Sequence, residues 1–164
     1  MSEMVEVVVI GAGPAGSCAA ARLNQSGLSV LVLEKSQFPR FVIGESLLPK
    51  CMEYLEQLDL LKCVQAQNFQ VKSGVSFFHE NEKCDFSFSE KSTEGWDYTY
   101  QVKRADFDQA LIEEVESRGV KVEFGASVTE VNLSKDIQVV RFQDSEGLTR
   151  EVECKFVLDA SGFG

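Results

Sequence analysis

The stretch Val5-Glu6-Val7-Val8-Val9-Ile10-Gly11-Ala12-Gly13-Pro14-Ala15-Gly16 decides the fold. Its first six residues are rich in β-branched side chains, the pattern of a strand buried on both faces of a parallel sheet, and Gly11 stops it. From Pro14 to about Gln25 the residues are small or helix-forming; Pro14 suits a first helical turn and Gly27 lies just past the end. Ser29 to Leu33 is a second apolar strand, closed by Glu34. A strand, helix and strand joined by short loops predict a right-handed parallel crossover. Gly11-x-Gly13-x-x-Gly16 stands at its strand-to-helix junction, where each glycine has a mechanical role. Gly11 allows the tight turn, Gly13 lets a diphosphate approach the backbone, and Gly16 lets the helix pack against the strand. The unpaired amides of the first helical turn carry about half a positive charge toward the phosphates. Glu34, 18 residues after Gly16, is placed to accept hydrogen bonds from ribose hydroxyls and to repel a 2′-phosphate.

Outward from this unit, Ser36 to Pro49 reads as a long loop punctuated by Pro39, Gly44 and Pro49. Met52, Leu55, Leu58, Leu61 and Val64 predict one helix, or two short ones broken near Asp59. Gly74 to Phe78 and Cys84 to Phe88 flank a polar turn and predict a hairpin outside the main sheet, with Tyr98 to Val102 as a third strand. Asp106 to Arg118 is an amphipathic helix stopped by Gly119, and Val120 to Phe124 a strand returning to the parallel sheet. Ser127 to Leu133, Ile137 to Phe142 and Leu148 to Cys154 predict a β-meander, and Phe156 to Ala160 a further buried strand. The fold class is therefore α/β: a Rossmann-like FAD/NAD(P)-binding domain with a parallel sheet, a β-meander and an inserted piece of antiparallel sheet.

The 164 residues carry 16 Lys+Arg against 26 Asp+Glu, a formal net charge of −10. Such a field opposes sequence-independent binding of nucleic acid or anionic membrane surfaces, so an anionic ligand needs local donors, which backbone amides supply. No apolar run approaches a membrane span and the first residues lack a basic leader, so the expected location is cytoplasmic. Five scattered cysteines suggest neither a disulfide framework nor a zinc site. With His79 the only histidine, no metal cluster or Ser-His-Asp arrangement is suggested either, and His79 reads as a surface residue.

After Glu34 the chain continues Phe38-Pro39-Arg40-Phe41-Val42-Ile43-Gly44-Glu45-Ser46-Leu47-Leu48-Pro49. With the glycine motif, Gln101-Val102-Lys103-Arg104-Ala105-Asp106-Phe107-Asp108 and Leu158-Asp159-Ala160-Ser161-Gly162, this resembles the FAD-dependent monooxygenase superfamily. The resemblance is strongest to its branch of flavin-dependent halogenases and geranylgeranyl-type reductases. It implies FAD held by Gly11, Gly13, Pro14, Ala15, Gly16, Glu34 and Lys35, with Arg40 along the cofactor. Gly44, Glu45 and Ser46 would border the flavin, and Gln101 would lie nearby. Arg104 would close over the diphosphate side, Ser127 and Val128 would pass near the adenine, and Asp159, Ala160 and Gly162 would bring backbone to the diphosphate. Solvated surface roles remain the alternative for Arg40, Arg104 and Glu45, and Asp159 either meets the cofactor or holds its own loop. In the halogenase branch a lysine in a segment like Phe69-Gln70-Val71-Lys72-Ser73-Gly74 handles hypohalous acid, which makes Lys72 the candidate catalytic residue; the alternative is a solvent-facing charge. The aromatics between Phe69 and Tyr100 either wall an apolar substrate pocket or pack a sheet face onto the helices.

The resemblance implies an FAD-dependent oxidoreductase acting on a small organic substrate, in which reduced flavin activates O₂ or delivers hydride to an alkene. NADH or NADPH, directly or through a flavin reductase, would be the electron donor. The expected layout is a discontinuous FAD-binding domain, about 1–66 and 101–164, with the start of a substrate sheet at about 67–100, in the N-terminal part of a longer polypeptide. The alternatives are a cofactor-binding fragment, or an NAD-binding module, without turnover of its own.

Overall fold

A computed structural model describes residues 3–162. The expectations drawn from the first two residues and from the end at Gly164 lie outside them.

Strand β1 (Glu3–Ile10) pairs in parallel with β2 (Val30–Glu34), and β2 in parallel with β7 (Lys121–Phe124). On its other side β1 pairs in parallel with β10 (Thr149–Asp159), giving the sheet order β7-β2-β1-β10-β9-β8, with β8 at Ser127–Asn132 and β9 at Gln138–Gln143. The pleat divides β1 and β2 between two cores. Val7, Val9, Val30 and Val32 face the helices, while Val8, Leu31 and Leu33 face a second cluster with Val140, Phe142, Val152 and Cys154 of the meander. Helices thus cover one face of the sheet, and apolar side chains from the meander end of the same sheet pack against the other.

The two strands expected at Leu148–Cys154 and Phe156–Ala160 are a single strand, β10. Its first half is antiparallel to β9, and from Val152 onward it also runs beside β1. The change of hydrophobic pattern at Lys155 marks a change of neighbours rather than a turn.

Helix α1 (Pro14–Gln25) buries Gly16, Ser17, Ala20 and Ala21 against the sheet, small residues that allow a close approach. The apolar run after Pro49 is two helices, α2 (Pro49–Gln57) and α3 (Leu61–Gln65), broken at Asp59, whose φ is +57°. Arg118 ties down that break by donating to the carbonyls of Leu58 and Asp59, each at 2.7 Å. Helix α4 (Arg104–Ser117) begins two residues earlier than its apolar pattern indicated, and Phe107, Leu111, Ile112 and Val115 join the helical core.

The inserted segment holds two small antiparallel pairs. The expected hairpin is β4 (Gly74–His79) with β5 (Glu82–Ser87). The segment expected as its third strand, β6 (Thr99–Gln101), pairs instead with β3 (Gln70–Lys72). β3 is too short and too polar to show a period, and its partner residues are 27 to 31 positions away. The aromatics divide accordingly: Phe69, Trp96, Tyr98 and Tyr100 pack on the helical core, whereas Phe77, Phe78 and Phe86 of the hairpin are exposed. His79 is exposed, as expected, and all five cysteines are free thiols.

Candidate functional site: a glycine turn and two arginines

Three segments meet at the carboxyl ends of β1, β2 and β10, the edge where open α/β sheets bind ligands. The Gly11 amide donates to the Leu33 carbonyl at 2.8 Å, and the Ala160 amide donates to that of Ile10 at 2.9 Å. The start of β8 belongs to the same edge, since the Ala126 amide donates to the Glu34 carbonyl at 2.9 Å. That sets Ser127, which is exposed, and half-buried Val128 next to the end of β2.

The three glycines of the turn are glycine for different reasons. A Cβ on Gly16 would lie 1.9 Å from the Gly11 carbonyl oxygen, so a side chain there would push α1 off the strand. A Cβ on Gly11 would lie 2.7 Å from the Ala160 carbonyl oxygen, and its φ of +98° is one that L side chains rarely adopt. Gly13 is under neither constraint. Its φ is −68°, and a Cβ would meet only the terminal nitrogen of Arg40, at 3.4 Å. The fold has no need of a glycine here, and the space beside it is the cradle that a Cβ would begin to fill. Nor does any side chain cap α1, whose first turn contains no acidic residue. Its leading amides are open to an anion.

Glu34 is buried, and its carboxylate is turned toward the glycine turn, accepting from the amides of Ala12 at 2.8 Å and Ser36 at 2.9 Å. A carboxylate has about four lone-pair sites, so two remain for a ribose. Ser17, which the sequence reading passed over, is fully buried and braces the turn by donating to the Ala12 carbonyl at 3.1 Å. Lys35 is exposed beyond Glu34. Asp159 accepts from the Ser161 amide at 2.9 Å, and bonds from Ser161 hold its carboxyl below the usual range. In this structure it holds its own loop, which carries Ala160 and exposed Gly162 past the turn.

The arginines are joined through a residue that the sequence reading did not single out. Asp108, fully buried, accepts from Arg104 through both oxygens, at 2.7 and 2.9 Å, and from Arg40 at 3.2 Å. Arg40 reaches back toward Glu34 at 3.9 Å and stacks its guanidinium 4.6 Å from the Phe38 ring centroid. Arg104 donates to the carbonyls of Ile43 at 3.1 Å and Gly44 at 3.4 Å. So Arg40 stands at the glycine turn and Arg104 at the Gly44 loop. The clue to Asp108 was the i, i+4 spacing from Arg104, one helical turn along α4.

The segment Glu45–Leu47 runs antiparallel along β6: the Val102 amide donates to the Glu45 carbonyl at 2.8 Å, and the Leu47 amide to that of Tyr100 at 3.1 Å. Gln101 is thereby paired with Ser46 on one side and Gln70 on the other. Lys72 reaches across β6 to donate to the Ser46 hydroxyl at 2.5 Å and the Leu47 carbonyl at 3.2 Å, with its ammonium 5.5 Å from the Phe88 ring centroid. It faces an open groove of about 480 Å³ lined also by Ser73, Asp85, Phe86 and Gln101. Lys72 is therefore bound to the Gly44–Ser46 loop rather than extended into solvent.

A parallel-centred sheet backed by helices, with an open cradle at its first crossover, defines a dinucleotide-binding α/β domain. The sequence pattern of the FAD binding domain family matches residues 4–164, and the chain belongs to that family. It is 48% identical to a flavoprotein/dehydrogenase from Cytophaga hutchinsonii, whose crystal structure superposes with a TM-score of 0.96 over 99% of this chain and 40% of that one. The myxobacterial chondrochloren halogenase CndH is 34% identical, with a TM-score of 0.89 over 97% of this chain and 37% of that one. The tryptophan 2-halogenase of Chondromyces crocatus is 35% identical over 159 residues, which are 96% of this chain and 30% of that protein. The likeness to flavin-dependent halogenases read from the sequence thus holds, over about a third of the length of the curated relatives that the chain matches. Among the described residues no helix is long and apolar enough to cross a membrane, and no His/Cys/Asp/Glu cluster is arranged to hold a metal ion.

Proposed function

We propose that this chain forms the cofactor-binding part of an FAD-dependent oxidoreductase of the halogenase-like kind, acting on a small organic substrate. The observation that carries the reading is Gly13: alone among the three glycines of the turn, it is explained by neither packing nor backbone angle, only by a ligand. The amides at the start of α1 and the Arg40 guanidinium would hold the diphosphate, and Glu34 the ribose. The loop at Gly44–Ser46, pinned by Arg104 and β6, would border the flavin, with residues 1–66 and 101–164 forming the FAD domain and 67–100 opening the substrate side. Bound FAD supplies, once reduced, either hydride or activation of O₂. Lys72 would present a positively charged hydrogen-bond donor to the reagent or substrate, oriented by Ser46 and the Leu47 carbonyl. NADH or NADPH, directly or through a flavin reductase, would provide the electrons.

The 48% identity to a protein described as a flavoprotein/dehydrogenase favours a second reading, hydride transfer without halide. One experiment separates the two. The polypeptide as the organism makes it is supplied with reduced FAD, O₂ and chloride or bromide, and phenols, pyrroles and indoles are searched by mass spectrometry for halogenated products. Halogenation that disappears in Lys72→Ala, with FAD binding kept, is the expected result. Absence of any halide-dependent product from the wild type would overturn the halogenase reading in favour of the dehydrogenase. A protein that takes up no FAD would overturn both.

A further inference from the structure

Resting on that reading, we infer that Asp108 is a positioning residue for the dinucleotide: one buried carboxylate that sets Arg40 over the glycine turn and Arg104 over the Gly44 loop as a single unit. Asp108 is fully buried, in the second turn of α4. Its carboxylate accepts hydrogen bonds from the two guanidinium groups. Arg104 grips both of its oxygens in the fork geometry that fixes a guanidinium plane, leaving Arg104's other nitrogen to hold the Ile43 and Gly44 carbonyls. The second oxygen also receives Arg40, whose far nitrogen then stands 3.4 Å from where a Cβ of Gly13 would be. Through these two side chains a single residue of α4 holds two segments that are far apart in sequence, the turn at Gly11–Gly16 and the loop at Phe41–Ser46.

Two simple accounts of Asp108 predict opposite outcomes. Arg40 and Arg104 are offset in this cluster by Asp108 and Glu34, so on charge alone removing Asp108's charge leaves a net positive cradle and tightens binding of a diphosphate. If Asp108 positions Arg40, its removal weakens binding. A freed arginine regains its rotamers and must be ordered again by the ligand, at the expense of affinity.

The test is a calorimetric titration of the cofactor-free protein with ADP and with FAD, for the wild type, Asp108→Asn, Arg40→Met and the double variant, with the melting temperature of each. ADP engages only the glycine-turn side, so its affinity reads Arg40 separately from the Gly44 loop. Asp108→Asn is expected to weaken ADP about tenfold, the scale of losing the one charge-assisted hydrogen bond that holds Arg40. In the Arg40→Met background the same change is expected to cost less than about twofold, because no guanidinium is left to position. Unchanged or tighter ADP binding by Asp108→Asn would overturn the inference while leaving the FAD reading intact. So would losses from the two single variants that simply multiply in the double. A wild type that binds neither ADP nor FAD overturns both. Should Asp108→Asn fail to fold, Asp108→Glu decides instead: it keeps the charge, so the charge account leaves ADP affinity unchanged, but its longer side chain moves the carboxylate that Arg40 and Arg104 share. A loss of about tenfold in ADP affinity supports the positioning role, and wild-type affinity refutes it.

Discussion

The glycine turn and the Lys72 ribbon lie at the two sides of one candidate site and are built from different materials. The turn is made of main chain. Its shape depends on side chains that are missing at Gly11 and Gly16, its open cradle on the one missing at Gly13, and the parts that brace it, Glu34 and Ser17, are buried. The ribbon is made of side chains meeting across strands: Lys72 on β3, Ser46 and Leu47 beyond β6. Between them stand Arg40, Asp108 and Arg104. A backbone-built site is specified by a short contiguous motif, whereas a side-chain-built one exists only when distant segments come into register.

Substitution within the turn gives the largest contrast. Gly16→Val is expected to destabilise by more than about 3 kcal/mol, because the new side chain collides with the Gly11 carbonyl, a backbone atom that cannot yield. Gly13→Val is expected to leave the melting temperature of the cofactor-free protein nearly unchanged and to abolish FAD uptake, seen as loss of the visible flavin band. If both variants melted alike, the distinction between a packing glycine and a ligand glycine would fail.

The next contrast sets the rigid sheet against the inserted hairpin. Phe142 is buried between the meander and β1–β2, so Phe142→Ala should cost about 3–5 kcal/mol in denaturant titrations. Phe78, mostly exposed on β4, should cost no more than about 0.5 kcal/mol on the same change. A large loss at Phe78 would mean that the hairpin is covered in the protein as isolated.

The smallest effect concerns the thiols. Burial pushes Cys18 and Cys63 up from an ordinary 9.0 to about 11. A thiol whose folded value lies above its unfolded one stabilises fully at pH below the unfolded value, and loses that stabilisation as pH rises through the folded value. Melting temperature should therefore decline as pH goes from 9 to 11, and the decline should be shallower in a Cys18→Ala, Cys63→Ala double variant, with the remainder left to Cys154 and Tyr100, which burial also raises. At pH 8 a thiol reagent should modify exposed Cys84 well before Cys18 or Cys63.

The pleated alternation of Val7, Val8 and Val9, the pair of glycine stops and the acidic end of β2 can be read as local patterns, and the parallel crossover follows from them. The joining of β10 into one strand escaped that reading because a strand that changes partners at Lys155 looks, in a linear pattern, like two. β3 escaped because three half-polar residues carry no period long enough to detect. Asp108 was in plain view among helical residues, but nothing nearby in sequence showed that Arg40, 68 residues earlier, would share it.

By itself, then, the amino-acid order determined a phosphate-cradling crossover, since steric permission at glycines and the periods of helix and strand act over a few neighbouring residues. Only the tertiary structure decided that one buried aspartate would yoke two arginines and that Lys72 would rest on Ser46. Those contacts arise from strand register and helix packing, which are settled by the burial of apolar surface across the whole domain.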